Sequence, residues 1–306
     1  MISVIMSVYN EKIEWLSKAV ESILNQTYMD FEYIIIIDNP NLDKKSMDYL
    51  DLQAEKDARI RIHRNEKNIG LMNSLNIGIE LANGEIIARM DADDISLPDR
   101  FEKELDFMQK NKFDMVSGNR IDINEEGSEI GRSMHVMDNP QKHLPYTNFI
   151  VHPSVMVRTE VMKMLGGYRG FYNSEDYDMW LRILSAGYSI GIIKEYLIYY
   201  RIRQTSMSLK NKLETYYIIK YQQSLYKERV KTGKDSYTFE NFKKYMDSKD
   251  ISEVKNRKYC NFRDNMDLTI TKLKNKKIGF IGNFCKAFIA FPSAAMDNVS
   301  AILHIM

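Results

Sequence analysis

Residues 88–94 read ARMDADD, which places Asp91, Asp93 and Asp94 within four positions at the end of an apolar run. Carboxylates this close repel one another, and the nearest cation along the chain is Arg89. In an extended segment Arg89, Asp91 and Asp93 share one face and Ala92 takes the other. Two carboxylates on one face suit a hard divalent cation, magnesium or manganese, that keeps several of its waters. A single pair cannot cage an ion alone, so water and the phosphates of a bound nucleotide would complete the shell. An acidic turn ahead of a helix has the same composition, because Asp favours turns and the positive end of a helix dipole. Taken alone, the cluster leaves these two readings even.

A second acidic group lies in NSEDYDMWLR, residues 173–182, after an irregular stretch containing GGYRGFYN. Glu175 and Asp176 sit where a helix should start. A carboxylate there can take a proton from an acceptor hydroxyl within hydrogen-bond reach, and the helix dipole equally favours acids at that end. Trp180 has helical spacing with Ile183 and Leu184 and reads as core rather than as a sugar platform, whereas Tyr177 is ambiguous.

Other chemistries lack their residues. There is no G-x-x-x-x-G-K-[ST] phosphate loop and no G-x-G-x-x-G after the first strand. The five histidines, His63, His135, His143, His152 and His304, are scattered without zinc-ligand spacing. Ser117 and Ser154 stand outside any nucleophile-elbow pattern.

The elements that must position the acids follow from hydrophobic periodicity. Apolar, β-branched runs at 2–8, 31–38, 60–65, 85–91 and 114–123 predict strands. Helical spacing predicts helices over 12–25, 47–58 and 70–84, the last closed by Gly84 as a left-handed residue. A further helix is expected over 96–111, capped by Ser96 and with an early proline. This alternation predicts an α/β fold with a mostly parallel central sheet flanked by helices. In such sheets ligands sit at the carboxyl ends of strands, where Asp38 and the Asp91–Asp94 cluster both fall.

Composition is ordinary for a globular protein: 306 residues, 44% hydrophobic and 28% charged. The net charge of +1 gives no reason to expect a nucleic-acid partner. It hides an asymmetry, since from Leu209 onward there are 19 Lys+Arg against 10 Asp+Glu, leaving 24 against 32 before it. An acidic body thus carries a basic tail, read either as a surface for anionic lipid or as a solvated helical extension. Two cysteines make no disulfide framework and fit a reducing compartment. The opening MISVIMSVYN reads as a strand rather than a signal peptide, for want of a basic leading region. Residues 278–306 are apolar, but Lys286, Pro292 and Asp297 interrupt them, so an interfacial or packed helix is expected rather than a span.

The order of the motifs adds what none supplies alone. SVIMSVYNE, an Asp ending the second strand, ARMDADDISLPDR, HPSVMVR, GGYRGFYNSEDYDMWLR and YRIRQTSMS follow one another at fitting separations. Together they resemble the bacterial family 2 glycosyltransferases of the GT-A fold. The resemblance covers residues 1–208, a nucleotide-sugar-binding half (1–124) and an acceptor half (125–208), with 209–306 as a basic, mainly helical extension. It implies inverting transfer of a sugar from a nucleotide-sugar, usually a UDP-sugar, to a glycan or lipid-linked oligosaccharide in surface polysaccharide synthesis such as O-antigen or capsule. It implies a manganese or magnesium cofactor, with Asp93 as direct ligand and Asp91 on the ribose or metal side. It places Ser7 and Tyr9 against the nucleoside, Tyr9 stacking on the base, Asp38 in hydrogen bonding to the base, and Asp176 as catalytic base with Glu175 beside it. His152 matches a position near the sugar, and a packed, hydrogen-bonded histidine is the equal alternative.

One departure concerns YRIRQTSMS, where Arg203 replaces a histidine frequent in the family. Arginine cannot ligate a cation but can pair with a diphosphate, so Arg203 is expected as a phosphate clamp, with Arg201 an alternative. A sugar nucleotidyltransferase fits less well, since SVYNEKIEW lacks a glycine-rich basic loop. A catalytically silent sugar-nucleotide-binding module is the reading from another class, opposed by the presence of Asp38, Asp91, Asp93 and Asp176 together. The expected location is cytoplasmic, with the basic tail touching the anionic inner face of the membrane, where a lipid-linked acceptor lies.

Overall fold

The computed structural model describes residues 1–134, 139–203, 212–274 and 280–296, which form two compact units. The first comprises 1–144 and 148–203, the second 145–147 and 204–306. The boundary expected after residue 208 lies outside the described residues.

The first unit opens with β1 (Ile2–Val8), α1 (Ile13–Leu24), β2 (Phe31–Ile37), α2 (Lys44–Lys56), β3 (Ile60–Arg64), α3 (Leu71–Leu81) and β4 (Ile86–Asp91). These strands pair in parallel in the order β3-β2-β1-β4. β1 and β2 are buried along almost their whole length, which is why they read as unbroken apolar runs. Gly78 lets α3 approach β1, since a Cβ there would lie 2.4 Å from Cγ2 of Ile5.

After β4 come β5 (Ile95–Ser96), α4 (Arg100–Asn111), β6 (Met115–Ile123), β7 (Glu129–Ser133), α5 (Pro140–His143), β8 (Val155–Arg158), α6 (Thr159–Met164), α7 (Glu175–Ser185) and β9 (Ile190–Arg201). β8 inserts antiparallel between β4 and β6, β9 runs parallel to β6, and β5 pairs antiparallel with the end of β9. The parallel run expected from the alternation is therefore one half of a mixed sheet. The main core lies between that half and α1, α2 and α4, with Leu16, Val20 and Ile23 against Val4, Met6 and Ile35.

Three local expectations change. α2 begins at Lys44, not Met47, because the Asp43 side chain caps it by accepting from the Ser46 N–H at 3.0 Å. α4 begins at Arg100, and Ser96 is no cap: pairing with β9 claims it for β5. Helix α3 ends at Leu81, and Gly84 has no positive φ. It is needed for close approach instead, since a Cβ there would meet Met1 O at 2.7 Å and Ser3 N at 2.8 Å.

The second unit contains α8 (Lys212–Thr232), α9 (Phe239–Asp247), α10 (Glu253–Lys274) and α11 (Phe280–Ala290). Leu213, Tyr259, Phe262, Met266, Ala287 and Phe291 form its core. Among the described residues no helix is long and apolar enough to cross a membrane.

Candidate active site

The carboxyl ends of β1, β2 and β4 converge because the three strands are parallel neighbours in register. Ser7 pairs with Asp91 on one side and Ile36 on the other. Ser7 is half-buried, while Tyr9, just past β1, is 48% exposed and presents a ring to solvent. Its loop is fixed: Tyr9 N–H donates to Glu11 Oε2 at 2.8 Å, and Asn39 Nδ2 donates to Tyr9 O at 2.8 Å. Asp38 is buried and accepts from Asn65 Nδ2 (2.8 Å), Ile69 N–H (2.9 Å) and Gly70 N–H (2.8 Å). It thus holds the turn leading into α3, a task the sequence did not reveal.

Past β4 the chain does not stay extended. Residues 92–94 turn, and the carboxylates of Asp91, Asp93 and Asp94 come within 4.8 Å of one another. Asp94, without a role in the sequence reading, joins the group: it is 1% exposed, Oδ1 accepts from Arg201 N–H at 2.8 Å, and Oδ2 is buried without a hydrogen-bond partner. Burial, then the charge of Asp91, pushes Asp93 up to about 7; burial and Asp93 raise Asp94 well above the usual carboxylate range. Concentrated negative charge and an orphaned carboxylate oxygen in a largely buried group form a donor set that fits a hard divalent cation.

Three arginines flank it. Arg89, 4% exposed, pairs with Asp91. Arg203 Nε lies 2.9 Å from Asp93 Oδ2. Arg201 donates to three backbone carbonyls, Asp93 O at 2.9 Å, Asn124 O at 2.9 Å and Glu125 O at 3.1 Å. Glu11, which sequence reasoning missed, joins this neighbourhood: burial raises its pKa, the charge of Arg203 opposes, and Asp91 adds to the rise. Its signal was the acid in SVYNE, three residues past the first strand.

The other half of the site is the start of α7. Asp176 is half-buried; Oδ2 accepts from Asn148 Nδ2 at 2.9 Å and Oδ1 from Tyr177 N–H at 2.7 Å. Burial raises Asp176, and those two hydrogen bonds and the Arg89 charge hold it back. Glu175 is pushed up to about 7 by burial and by Asp176, with a further contribution from Asp91. The donor-side carboxylates and the start of α7 thus lie within electrostatic reach of each other, with Arg89 acting on both.

His152 Nε2 lies 2.9 Å from Tyr168 Oη, and burial and Arg89 keep the ring neutral. Trp180 is fully buried, as expected of core. Tyr177 is buried too, its hydroxyl donating to Leu144 O at 2.8 Å, which makes it scaffold. A further network unseen in the sequence ties the 165–170 loop to α7. Buried Asp178 accepts from Arg169 (2.6 and 2.9 Å) and Arg182 (2.8 Å), while Arg182 also donates to Leu165 O and Gly167 O, each at 2.6 Å.

Comparison with known proteins identifies the family. Residues 3–166 match Glycosyl transferase family 2. An uncharacterized glycosyltransferase of Methanocaldococcus jannaschii is 37% identical over 228 residues, covering 72% of this chain and 78% of that one. The O-antigen biosynthesis glycosyltransferase WbnJ of Escherichia coli is 40% identical over 214 residues, 67% of this chain and 81% of the relative. Among solved structures, TarS 1–349 of S. aureus in complex with UDP-GlcNAc superposes with a TM-score of 0.62 at 16% identity, over 80% of this chain and 70% of that one. The mixed sheet with its flanking helices is a GT-A fold. With more than half its length matched by the family and relatives at 37% and 40% identity over most of both chains, the chain belongs to glycosyltransferase family 2.

Proposed function

We propose that this enzyme transfers a sugar, with inversion, from a nucleotide-sugar to the hydroxyl of a glycan or lipid-linked oligosaccharide in bacterial surface polysaccharide synthesis. The observation that carries this reading is the Asp91–Asp93–Asp94 group at the end of β4 in a chain of this family; Glu175 and Asp176 at the start of α7, where the Asp91 charge adds to the rise of Glu175, support an acceptor side. A uridine diphosphate donor is favoured by the UDP-GlcNAc bound in TarS, and a polysaccharide product by the relative named for O-antigen biosynthesis.

Each residue then has a task. The exposed ring of Tyr9 stacks on the base, Ser7 flanks the nucleoside, and Asp38 contacts the base while holding the turn into α3. Asp93, Asp91 and Asp94 hold manganese or magnesium. Bound there, the ion stabilises the charge that grows on the leaving diphosphate. Arg203 reaches the same phosphates; Arg201 is committed to backbone carbonyls. Asp176 takes the proton of the acceptor hydroxyl as its oxygen bonds to the anomeric carbon and the bond to the diphosphate breaks. Attack opposite the leaving group inverts the anomeric centre. Neutral His152 and Tyr168 pack beside the sugar. The basic tail brings the enzyme to the cytoplasmic face of the membrane, where a lipid-linked acceptor resides.

The test is a hydrolysis and transfer screen with UDP-, GDP- and dTDP-sugars, with manganese or with EDTA. Metal-dependent turnover of a donor is expected; no binding or turnover of any donor would overturn the reading.

A further inference from the structure

α11 and the turn after it carry two unlike faces, both apolar. Ala287, Phe291, Ala294 and Ala295 are buried against Tyr259, Phe262 and Met266 of α10. On the opposite side Ile281, Cys285, Phe288, Ile289, Pro292 and Met296 are all exposed, Ile289 by 80% and Met296 by 63%. α11 closes with Phe291 N–H donating to Ala287 O, and a new turn opens at Pro292 with Ala295 N–H donating to Phe291 O. Within α11 itself, the spacing of Ile281, Cys285, Phe288 and Ile289 confines them to an arc of about 100°. The free face of a packed surface helix is ordinarily polar, and a contiguous apolar one marks a surface that something covers.

Charge selects the occupant. From Glu253 to Met296 the sequence has nine Lys+Arg against three Asp+Glu, a net of +6. Arg257, Lys258, Arg263 and Lys286 are exposed. Two copies meeting through this face would bring like charge against like charge, because a two-fold interface sets each patch on itself. An anionic lipid surface offers both the apolar layer and the opposite charge, each nearby Lys or Arg contributing about 1 kcal/mol. The 11 residues of α11 rise only about 16 Å, half the bilayer's hydrocarbon thickness, so the helix lies on the membrane and does not span it.

We propose that the outer stripe of α11 is a membrane-docking surface that inserts Ile281, Phe288, Ile289 and Met296 at the headgroup boundary of an anionic bilayer. Its purpose rests on the reading of the acceptor as lipid-linked; the surface itself is read from the two helices.

The test is co-sedimentation of the full chain with vesicles of phosphatidylglycerol or of phosphatidylcholine, at low and high salt, beside donor hydrolysis in solution. Wild type should pellet with phosphatidylglycerol vesicles and be released by salt. Phe288→Asp and Ile289→Asp, at exposed positions, should weaken this by at least about tenfold while soluble donor hydrolysis and melting temperature stay unchanged. Vesicle binding that the two variants weaken supports docking even if no donor is hydrolysed, an outcome that would count against the catalytic reading alone. Failure of wild type to pellet with phosphatidylglycerol, pelleting indifferent to both variants, or a dimer that the variants split would overturn the proposal.

Discussion

Arg203 places its Nε 2.9 Å from the carboxylate of Asp93. The residue proposed to bind the diphosphate is thus ion-paired to the residue proposed to bind the metal. A guanidinium there neutralises part of the charge on the Asp91–Asp93–Asp94 cluster and competes with a cation for Asp93.

Arg203→Ala should therefore act in opposite directions on the two ligands. Manganese alone should bind about five- to tenfold more tightly, because its competitor is gone, while the nucleoside diphosphate should bind about tenfold more weakly for want of a charge-assisted contact. Separate calorimetric titrations read both. Unchanged diphosphate affinity would remove Arg203 from the phosphate site.

Asp176→Asn keeps the size of the side chain and one of its two accepted hydrogen bonds and removes its basicity. Transfer should fall by about 10²–10⁴-fold in kcat, the range for a general base, with donor affinity held within a factor of about two. Donor affinity falling in parallel with kcat would instead assign Asp176 to donor binding.

Glu175 and Asp176 titrate as a pair, so the acid limb of kcat/KM belongs to both. Burial raises both, and the charge of Asp176 adds to the rise of Glu175, to about 7. A base with a raised pKa is protonated at higher pH, so activity should begin to fall as pH drops through neutrality. Glu175→Gln removes the neighbouring charge and should move this limb down by about one unit. A limb that stays in place in Glu175→Gln contradicts the coupling.

Beneath the site Arg100 and Glu104 form an ion pair 2.9 Å apart, neither side chain exposed, and Arg100 Nη2 donates to Arg89 O at 3.0 Å. Glu104→Gln leaves the guanidinium buried without its counter-charge, costing about 3 kcal/mol. The melting temperature should fall by roughly 6–12 °C for a domain of this size, as read by calorimetry; an unchanged value would mean that water or another group compensates.

Much of the scaffold was legible in local pattern. The buried strands at 2–8 and 31–37 and the helix at 13–24 follow from runs and spacing within a dozen residues. Helix starts were read less well, because capping by Asp43 and the pairing of Ser96 compete with propensity. Asp38, Asp91, Asp93 and Asp176 are legible from motif order; Glu11, Asp94 and Asp178 are not, since residue type and spacing carry no mark of which acids are buried together.

By itself the sequence determined most elements of the first 125 residues, the positions of the acids at strand and helix ends, and the family, because these depend on periodicity and on residue order. The tertiary structure decided which residues meet. Asp94 accepts from the backbone of Arg201, 107 positions away, only because β5 pairs with the end of β9. Asp91, Asp93 and Asp94 converge because the chain turns after β4, where an extended strand would have sent Asp94 to the opposite face. Arg203 reaches Asp93 Oδ2, while Arg201 directs its Nε and Nη1 to three backbone carbonyls. Hydrogen-bonding groups settle such choices by which partners the sheet order brings within reach, and no spacing along one chain records that order.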